Sequence, residues 1–273
     1  MTSAPLIPDL DLVRRCQAII GDCTATRVQI IADRPGNPLG AGVRRFGGAV
    51  AVRCPQFGEH MFNRAFGFTD EALADAQAVI DWYAEWNVPA AFEIAPGPKN
   101  GALMALLHAR GFRQTGFHGA FAGWSDAPAA PLPGVEVRRV ESERELAAFS
   151  EAYHLGWNRT EFRVPMRPWL DAPGWQLYLG LCDGAPAGAA ILYLANGDAY
   201  LADGAVDPAF RNRGVHRALL DRRCADAAAA GAKVVFSGAD YLGGSCRNMI
   251  RKGLGVLYTK AIWTLSPPAT ASA

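Results

Sequence analysis

Ala205 to Leu220 reads AVDPAFRNRGVHRALL, and the fold turns on this stretch. The residues leading into it, Ala199 to Val206, have the composition of a strand. Asp207-Pro208 ends that strand, because proline cannot donate to a central ladder. A loop carrying Arg211 and Arg213 follows. Gly214 then opens a helix over the alanine-rich Val215 to Ala230, and Gly231 stops it. The first amides of a helix lack internal partners, and the dipole is positive at that end. A strand–glycine–helix step is therefore an anion site. Arg211, Arg213 and Arg217 crowd the same end, where each cation is unfavourable by about 0.3–1 kcal/mol. A bound anion such as a pyrophosphate would reverse that penalty.

Working outward, Lys233 to Ser237 reads as a short buried strand. A second helical segment closes at Lys252 before Gly253-Leu254, and Val256 to Leu265 is a last strand ending in aromatics. The same order recurs upstream. Asp70 to Trp86 has helical spacing, Ala90 to Ile94 is a strand, Ala102 to Arg110 a helix, and His118 to Trp124 a final strand. Phe92 to Gly111 spans 19 positions and Val235 to Gly253 spans 18, which points to an internal duplication. Alternating helices and strands imply an α/β architecture. Ser125 to Gly134, SDAPAAPLPG, can sustain neither helix nor central strand and reads as a linker. The expected division is 1–130 and 131–273.

Composition narrows the function classes. The 273 residues are 50% hydrophobic and 19% charged, which excludes a mainly disordered chain. The net charge of +1 argues against nucleic-acid binding by bulk charge. No apolar run reaches the roughly 18 residues of a membrane span, and Met1 to Asp11 does not read as a signal peptide. The six cysteines form no CxxC pair, no Cys/His group has zinc spacing, and HExxH is absent. The expectation is a cytoplasmic protein with reduced thiols and no metal.

The central stretch resembles the GNAT acetyltransferase superfamily, whose hallmark is Arg/Gln-x-x-Gly-x-Gly/Ala. The matching residues are Arg211-Asn212-Arg213-Gly214-Val215-His216. The flanking Val206-Asp207-Pro208 and Ala218-Leu219-Leu220 fit as well, as does SCRNMIRKGL at Ser245 to Leu254. The resemblance covers Val135 to Leu265, and covers the first part only as a degenerate repeat. It implies two tandem GNAT-like mixed-sheet α/β domains flanked by helices, of which only the second binds acetyl-CoA. It assigns the coenzyme to Ala205, Val206, Arg211 to Arg217, Asn248 and Arg251. His216 departs from the pattern, which has a small residue there; its ring must turn aside or contact the phosphates itself. The first part has Asp70 and Glu71 at the corresponding helix start, and these would repel a pyrophosphate. It is expected to shape the acceptor pocket or a homodimer.

For the chemistry, the resemblance implies acetyl transfer to a small amine or amino-acid-like acceptor, with the backbone N–H near Val206 polarising the thioester carbonyl. Tyr200 and Asp203 are the candidate bases on the preceding strand. The family's usual acid, a tyrosine four residues before the Gly-Phe step, maps to Met249, which cannot donate a proton; Tyr258 is the fallback. The acceptor is expected at Tyr153 to Trp175, where Trp157, Phe162, Trp169 and Trp175 could line a pocket and Glu151, Glu161 and Asp171 could attract a cation. A non-catalytic acyl-CoA-binding regulatory module and an O-acyltransferase are the alternatives, since the motif reads the coenzyme and not the acceptor.

Overall fold

The computed structural model describes residues 6–57, 60–88, 90–97, 99–125, 130–158 and 166–265. Within the expected linker, residues 126–129 lie outside that set, as do Glu161 and Phe162. The chain forms two compact units. One holds Pro8–Gly119 and the chain from Leu257; the other holds Ala120–Val256.

The first unit begins with helix α1 (Leu10–Ala32), capped by Asp9, whose Oδ1 accepts the Leu12 N–H at 2.8 Å. Its apolar stripe includes Cys16, Ile19, Ile20, Val28 and Ile31. Gly21 lets the helix approach strand β2 (Ala49–Arg53): a Cβ there would lie 2.9 Å from Val50. Strand β1 (Gly42–Phe46) pairs antiparallel with β2, which pairs antiparallel with β3 (Arg64–Phe66). The expected helix from Asp70 starts as a tight turn at Asp70–Ala72 and continues as α2 (Leu73–Glu85). Strand β4 (Ala91–Ile94) lies parallel to β3, and helix α3 (Gly101–Ala109) follows. Strand β5 (Phe112–Trp124) is longer than the expected His118 to Trp124. Gly111, at φ 88°, turns the chain out of α3 straight into it. Phe68, Phe92 and Phe112 centre the core, meeting edge to face.

The second unit starts with strand β6 (Val135–Arg139) and helix α4 (Glu143–Gly156). A capping box holds α4: Ser142 and Glu145 satisfy each other's backbone amides. The short helix α5 (Arg167–Leu170) precedes strands β7 (Trp175–Cys182), β8 (Ala185–Ala195) and β9 (Asp198–Val206). β6, β7, β8 and β9 pair antiparallel in sequence order. Helix α6 (Val215–Ala229), strand β10 (Val234–Ala239), helix α7 (Gly244–Lys252) and strand β11 (Gly255–Leu265) complete the chain. β10 is parallel to β9, in register from Val235 opposite Ala199 to Ser237 opposite Leu201. The core packs α6 and α7 against β8, β9 and β10, with Leu219, Leu220, Cys224, Cys246 and Met249 buried. All six cysteines are buried and none is in a disulfide.

From Leu257 onward β11 belongs to the first unit and pairs antiparallel with β4. It brings Lys260 onto Glu93, whose other oxygen accepts from Arg64 Nη1 at 2.7 Å. Lys260 and Glu93 are both more than nine-tenths buried. Burial alone would raise the Glu93 pKa, but Lys260 and Arg64 hold it down to about 2. Removing Lys260 leaves the buried Glu93 carboxylate with Arg64 alone to offset its burial. Lys260→Met should therefore destabilise the protein by about 3–5 kcal/mol, read as a lowered melting temperature. Because the folded pKa lies below the unfolded value of about 4.3, the wild type should lose stability as pH falls from about 4 to 2. Lys260→Met should lose that acid-side slope.

Candidate functional site

β9 turns in mid-course. Asp203 sits at φ 47°, and the β8–β9 register jumps from Ile191 opposite Ala202 to Ala189 opposite Ala205. Asp203 and Gly204 thus stand together against Ala190, which is a β-bulge. Past the bulge, Ala205 faces α4. Gly156 makes that approach feasible: a Cβ there would lie 2.7 Å from the Ala205 Cβ and 3.0 Å from the Val206 nitrogen. On the opposite face, a Cβ on Gly204 would lie 3.3 Å from Arg223 Nη2 and 3.4 Å from His216 Nε2.

The chain then passes Asp207, whose carboxylate accepts the Ala209 N–H at 2.9 Å, and reaches Gly214. Gly214 adopts φ 86°, a conformation that disfavours any side chain. A Cβ would also lie 2.9 Å from Leu132. No side chain caps this helix end. Its leading amides open into a cavity of about 590 Å³ lined by Gly156, Trp157, Gly204 to Val206, Phe210 to Asn212, Gly214 to Arg217, Gly244, Ser245, Asn248 and Arg251. A neighbouring cleft of about 410 Å³ shares Arg217, Asn248 and Arg251 with it and adds Leu220, Asp221 and Lys252.

Most residues singled out from the sequence meet here. Ala205, Val206, Arg211, Asn212, Gly214, Val215, His216, Arg217, Asn248 and Arg251 all line the first cavity. Arg213 does not; it pairs with Asp183. Arg211 is exposed, its Nε donating to the Val206 carbonyl at 3.4 Å, and Arg217 lies 3.6 Å from Asp221. The His216 ring turns aside toward α7. Asn248 Nδ2 donates to its Nδ1 at 3.2 Å, and Ser245 Oγ lies 3.4 Å from its Nε2. Arg251 Nη1 donates to Asn248 Oδ1 at 3.2 Å, which fixes the amide and leaves the ring proton on Nε2. Burial, and then the nearby Arg223, lower the His216 pKa to about 4. The ring is neutral near pH 7 and leaves the helix amides uncovered.

The candidate catalytic groups are more dispersed. Asp203 accepts the Tyr153 O–H at 3.1 Å. Tyr200 lies opposite Tyr193 and Phe236. Neither is a lining residue of the cavity. Tyr258 belongs to the first unit, where it is buried with its hydroxyl 3.7 Å from Cys16 Sγ, and burial pushes its pKa up. Met249 is buried in the core. Among the expected acceptor aromatics, Trp157 lines the cavity, while Trp169 and Trp175 are buried and pack on each other at 5.3 Å. Arg167 binds Asp171 at 2.6 Å. Sequence reading missed Gly156, Gly204, Phe210, Gly244 and Ser245 as lining residues. A glycine inside a strand pattern was the available signal for Gly204.

Among the described residues no helix is long and apolar enough to cross a membrane, and no group of His, Cys, Asp or Glu could hold a metal ion.

Residues 143–255 match the family model described as "Acetyltransferase (GNAT) family". No curated protein matches the chain. Among solved structures, the fold is similar to that of a GCN5-related N-acetyltransferase from Kribbella flavida, at 16% identity and TM-score 0.64, covering 93% of this chain and 98% of that one. It is also similar to a GCN5-related N-acetyltransferase from Sphaerobacter thermophilus, at 18% identity and TM-score 0.58 over 93% of this chain and 94% of that one. A tandem GNAT protein from the clavulanic acid biosynthesis pathway aligns at 13% identity and TM-score 0.57 over 97% of this chain and 98% of its own. At these identities the likeness is one of fold, and that fold is the tandem arrangement with a mixed α/β sheet. Residues 143–255 thus carry the match to the GNAT acetyltransferase family model, and the whole chain has the fold of tandem GNAT structures.

Proposed function

We propose that the protein is an acetyl-CoA-dependent N-acetyltransferase that acylates a small amine or amino-acid-like acceptor by direct transfer. One observation carries the reading. The N-terminus of α6, opened by a left-handed glycine and left without a side-chain cap, faces a cavity of about 590 Å³ that also receives Arg211, Arg217 and Arg251. Dipole, amides and guanidiniums suit a pyrophosphate. A long, narrow coenzyme arm could continue from there past Gly204 to Val206.

In direct transfer the neutral amine nitrogen attacks the thioester carbonyl carbon. The C–N bond forms, the C–S bond breaks, and the proton lost from nitrogen balances the one gained by the thiolate. A free alkylammonium has a pKa of about 10.4, so the acceptor must shed a proton before attack. Asp203 is the better placed of the two candidate bases: a carboxylate at a left-handed bulge position, held by the Tyr153 hydroxyl. The backbone N–H near Val206 would stabilise the carbonyl oxygen as charge develops on it. With Met249 buried in the core and Tyr258 engaged with Cys16, the thiolate would take its proton from water.

A second reading, a non-catalytic acyl-CoA-binding module, draws on that same Met249. Incubation with acetyl-CoA and a panel of small amines, following free thiol, separates the two. Thiol release that depends on one class of amine is the expected outcome. Coenzyme binding without release for any amine would favour the binding module.

Reversing the charge at Arg211 tests the placement of the pyrophosphate. Arg211→Glu should weaken CoA binding about tenfold or more, the scale of a lost charge-assisted contact plus repulsion. Its side chain is exposed, so the melting temperature should hold. An unchanged dissociation constant by calorimetry would overturn the placement.

A further inference from the structure

Arg223 is the one charged residue on the inward face of α6. It is 1% exposed in an otherwise alanine- and leucine-rich helix side. Asp203 acts on its guanidinium electrostatically. Its hydrogen bonds go to backbone: Nη1 donates to the carbonyls of Ile191 and Ala202, each at 2.9 Å, and Nε donates to the Leu219 carbonyl at 3.0 Å. Ile191 and Ala202 are register partners at the edge of the bulge, immediately before Asp203 and Gly204 leave the ladder. Burying a guanidinium is expensive unless its donors are met. Here three of the five are met, two by backbone of the strand pair from which the bulge departs and one by Leu219 of the same helix.

We propose that Arg223 is a positioning residue for coenzyme binding: it clamps β8 to β9 at the root of the bulge and so fixes where Gly204, Ala205 and Val206 face the cavity. A bulge breaks the regular ladder and leaves the strand free to relax toward flat pairing. Three hydrogen bonds from one planar group resist that relaxation, and the group is itself anchored within α6 through Leu219. The same guanidinium backs Gly204, which lines the cavity. Its Nη2 and the His216 Nε2 lie at 3.3 and 3.4 Å from the position of a Gly204 Cβ, so the strand cannot sink toward α6. Ser245 and Asn248 hold the imidazole from the far side. Helix, bulge and second helix are thereby fixed at one spacing. Lysine cannot replace the fork, since its single nitrogen cannot reach all three carbonyls with the same geometry.

The proposal rests on the coenzyme reading for its consequence but not for its geometry, and the test separates the two. Arg223→Lys and Arg223→Met are compared with wild type by amide hydrogen exchange in the ligand-free chain and by calorimetric titration with CoA. The expected result is faster exchange confined to the segment around residues 202–206, with exchange in the first unit unchanged. CoA affinity should fall about tenfold for Met and less for Lys. In an active preparation the loss should fall on KM for acetyl-CoA more than on kcat. If Arg223→Met does not fold, Arg223→Lys together with Gly204→Ala, which presses a methyl group against the pinned guanidinium, gives the same comparison. Unchanged exchange at 202–206 in the folded variants, with CoA affinity within twofold of wild type, would overturn the proposal. Wild-type protein that does not bind CoA would instead remove the coenzyme reading, while the exchange comparison still decides whether Arg223 holds the bulge.

Discussion

The second unit is organised around one constraint: β9 must leave its ladder before it ends. Its pairing with β10 runs from Ala199 to Leu201, and its register with β8 jumps at Asp203 and Gly204. An unbroken ladder to Val206 would spend every backbone group on neighbouring strands. The bulge instead frees a short length of strand beside the start of α6, and much of the surrounding sequence serves that departure. Gly156 thins α4 so that Ala205 can approach, Arg223 holds the carbonyls at the break, and Gly214 takes the left-handed turn that aims the helix amides back at the same space.

The charges follow from that geometry rather than precede it. Arg211, Arg213 and Arg217 look equivalent as a run, yet they have different fates. Arg213 is spent on Asp183, Arg217 lies near Asp221, and Arg211 stays at the cavity rim with a single backbone contact. Exposed ion pairs of this kind contribute little to stability. They offset part of the mutual repulsion of Arg213 and Arg217 at an unfavourable helix end. His216 solves a separate problem. A ring replaces the small residue of the family pattern, but its side chain is drawn off by Asn248 and Ser245 and leaves the amides clear.

What could be read from the sequence, and what could not, divides along physical lines. The strand–loop–helix step was legible because its signals are local: a proline that cannot pair, a glycine that can turn left-handed, cations where a dipole disfavours them. The elements around Phe92, Phe112, Val235 and Leu254 were legible from periodicity for the same reason. Gly156 and Arg223 were not. Each acts through a partner tens of residues away: Gly156 meets Ala205, and Arg223 meets Ile191. Tyr258 shows the same limit from the other side. It stands as the fallback acid once the motif position falls on Met249, yet β11 passes at Leu257 into the unit of α1, where the phenol meets Cys16. No change of composition marks that crossing, because a strand looks alike whichever sheet receives it.

The first unit repeats the order strand, turn, helix, strand, helix with acidic residues at the turn. Thr69 caps the tight turn by accepting the Glu71 N–H at 3.4 Å, and the Asp70 N–H donates to the Lys99 carbonyl at 3.1 Å. The Asp70 carboxylate reaches across to the Leu103 N–H in the first turn of α3, at 2.8 Å. Glu71 closes on the Lys99 ammonium at 2.5 Å. The amides of this turn are thus met from within by the Thr69 hydroxyl and the Lys99 carbonyl, and the Asp70 carboxylate meets an amide of α3. A phosphate brought to this turn would meet two negative groups already holding the available donors. α2 itself starts without a side-chain cap, as α6 does, but acidic residues lead into it, which the positive end of the dipole favours, whereas arginines crowd the start of α6. The two units thus differ in the sign of the charge at the start of one helix, acidic at Asp70 and Glu71 and basic at Arg211, Arg213 and Arg217.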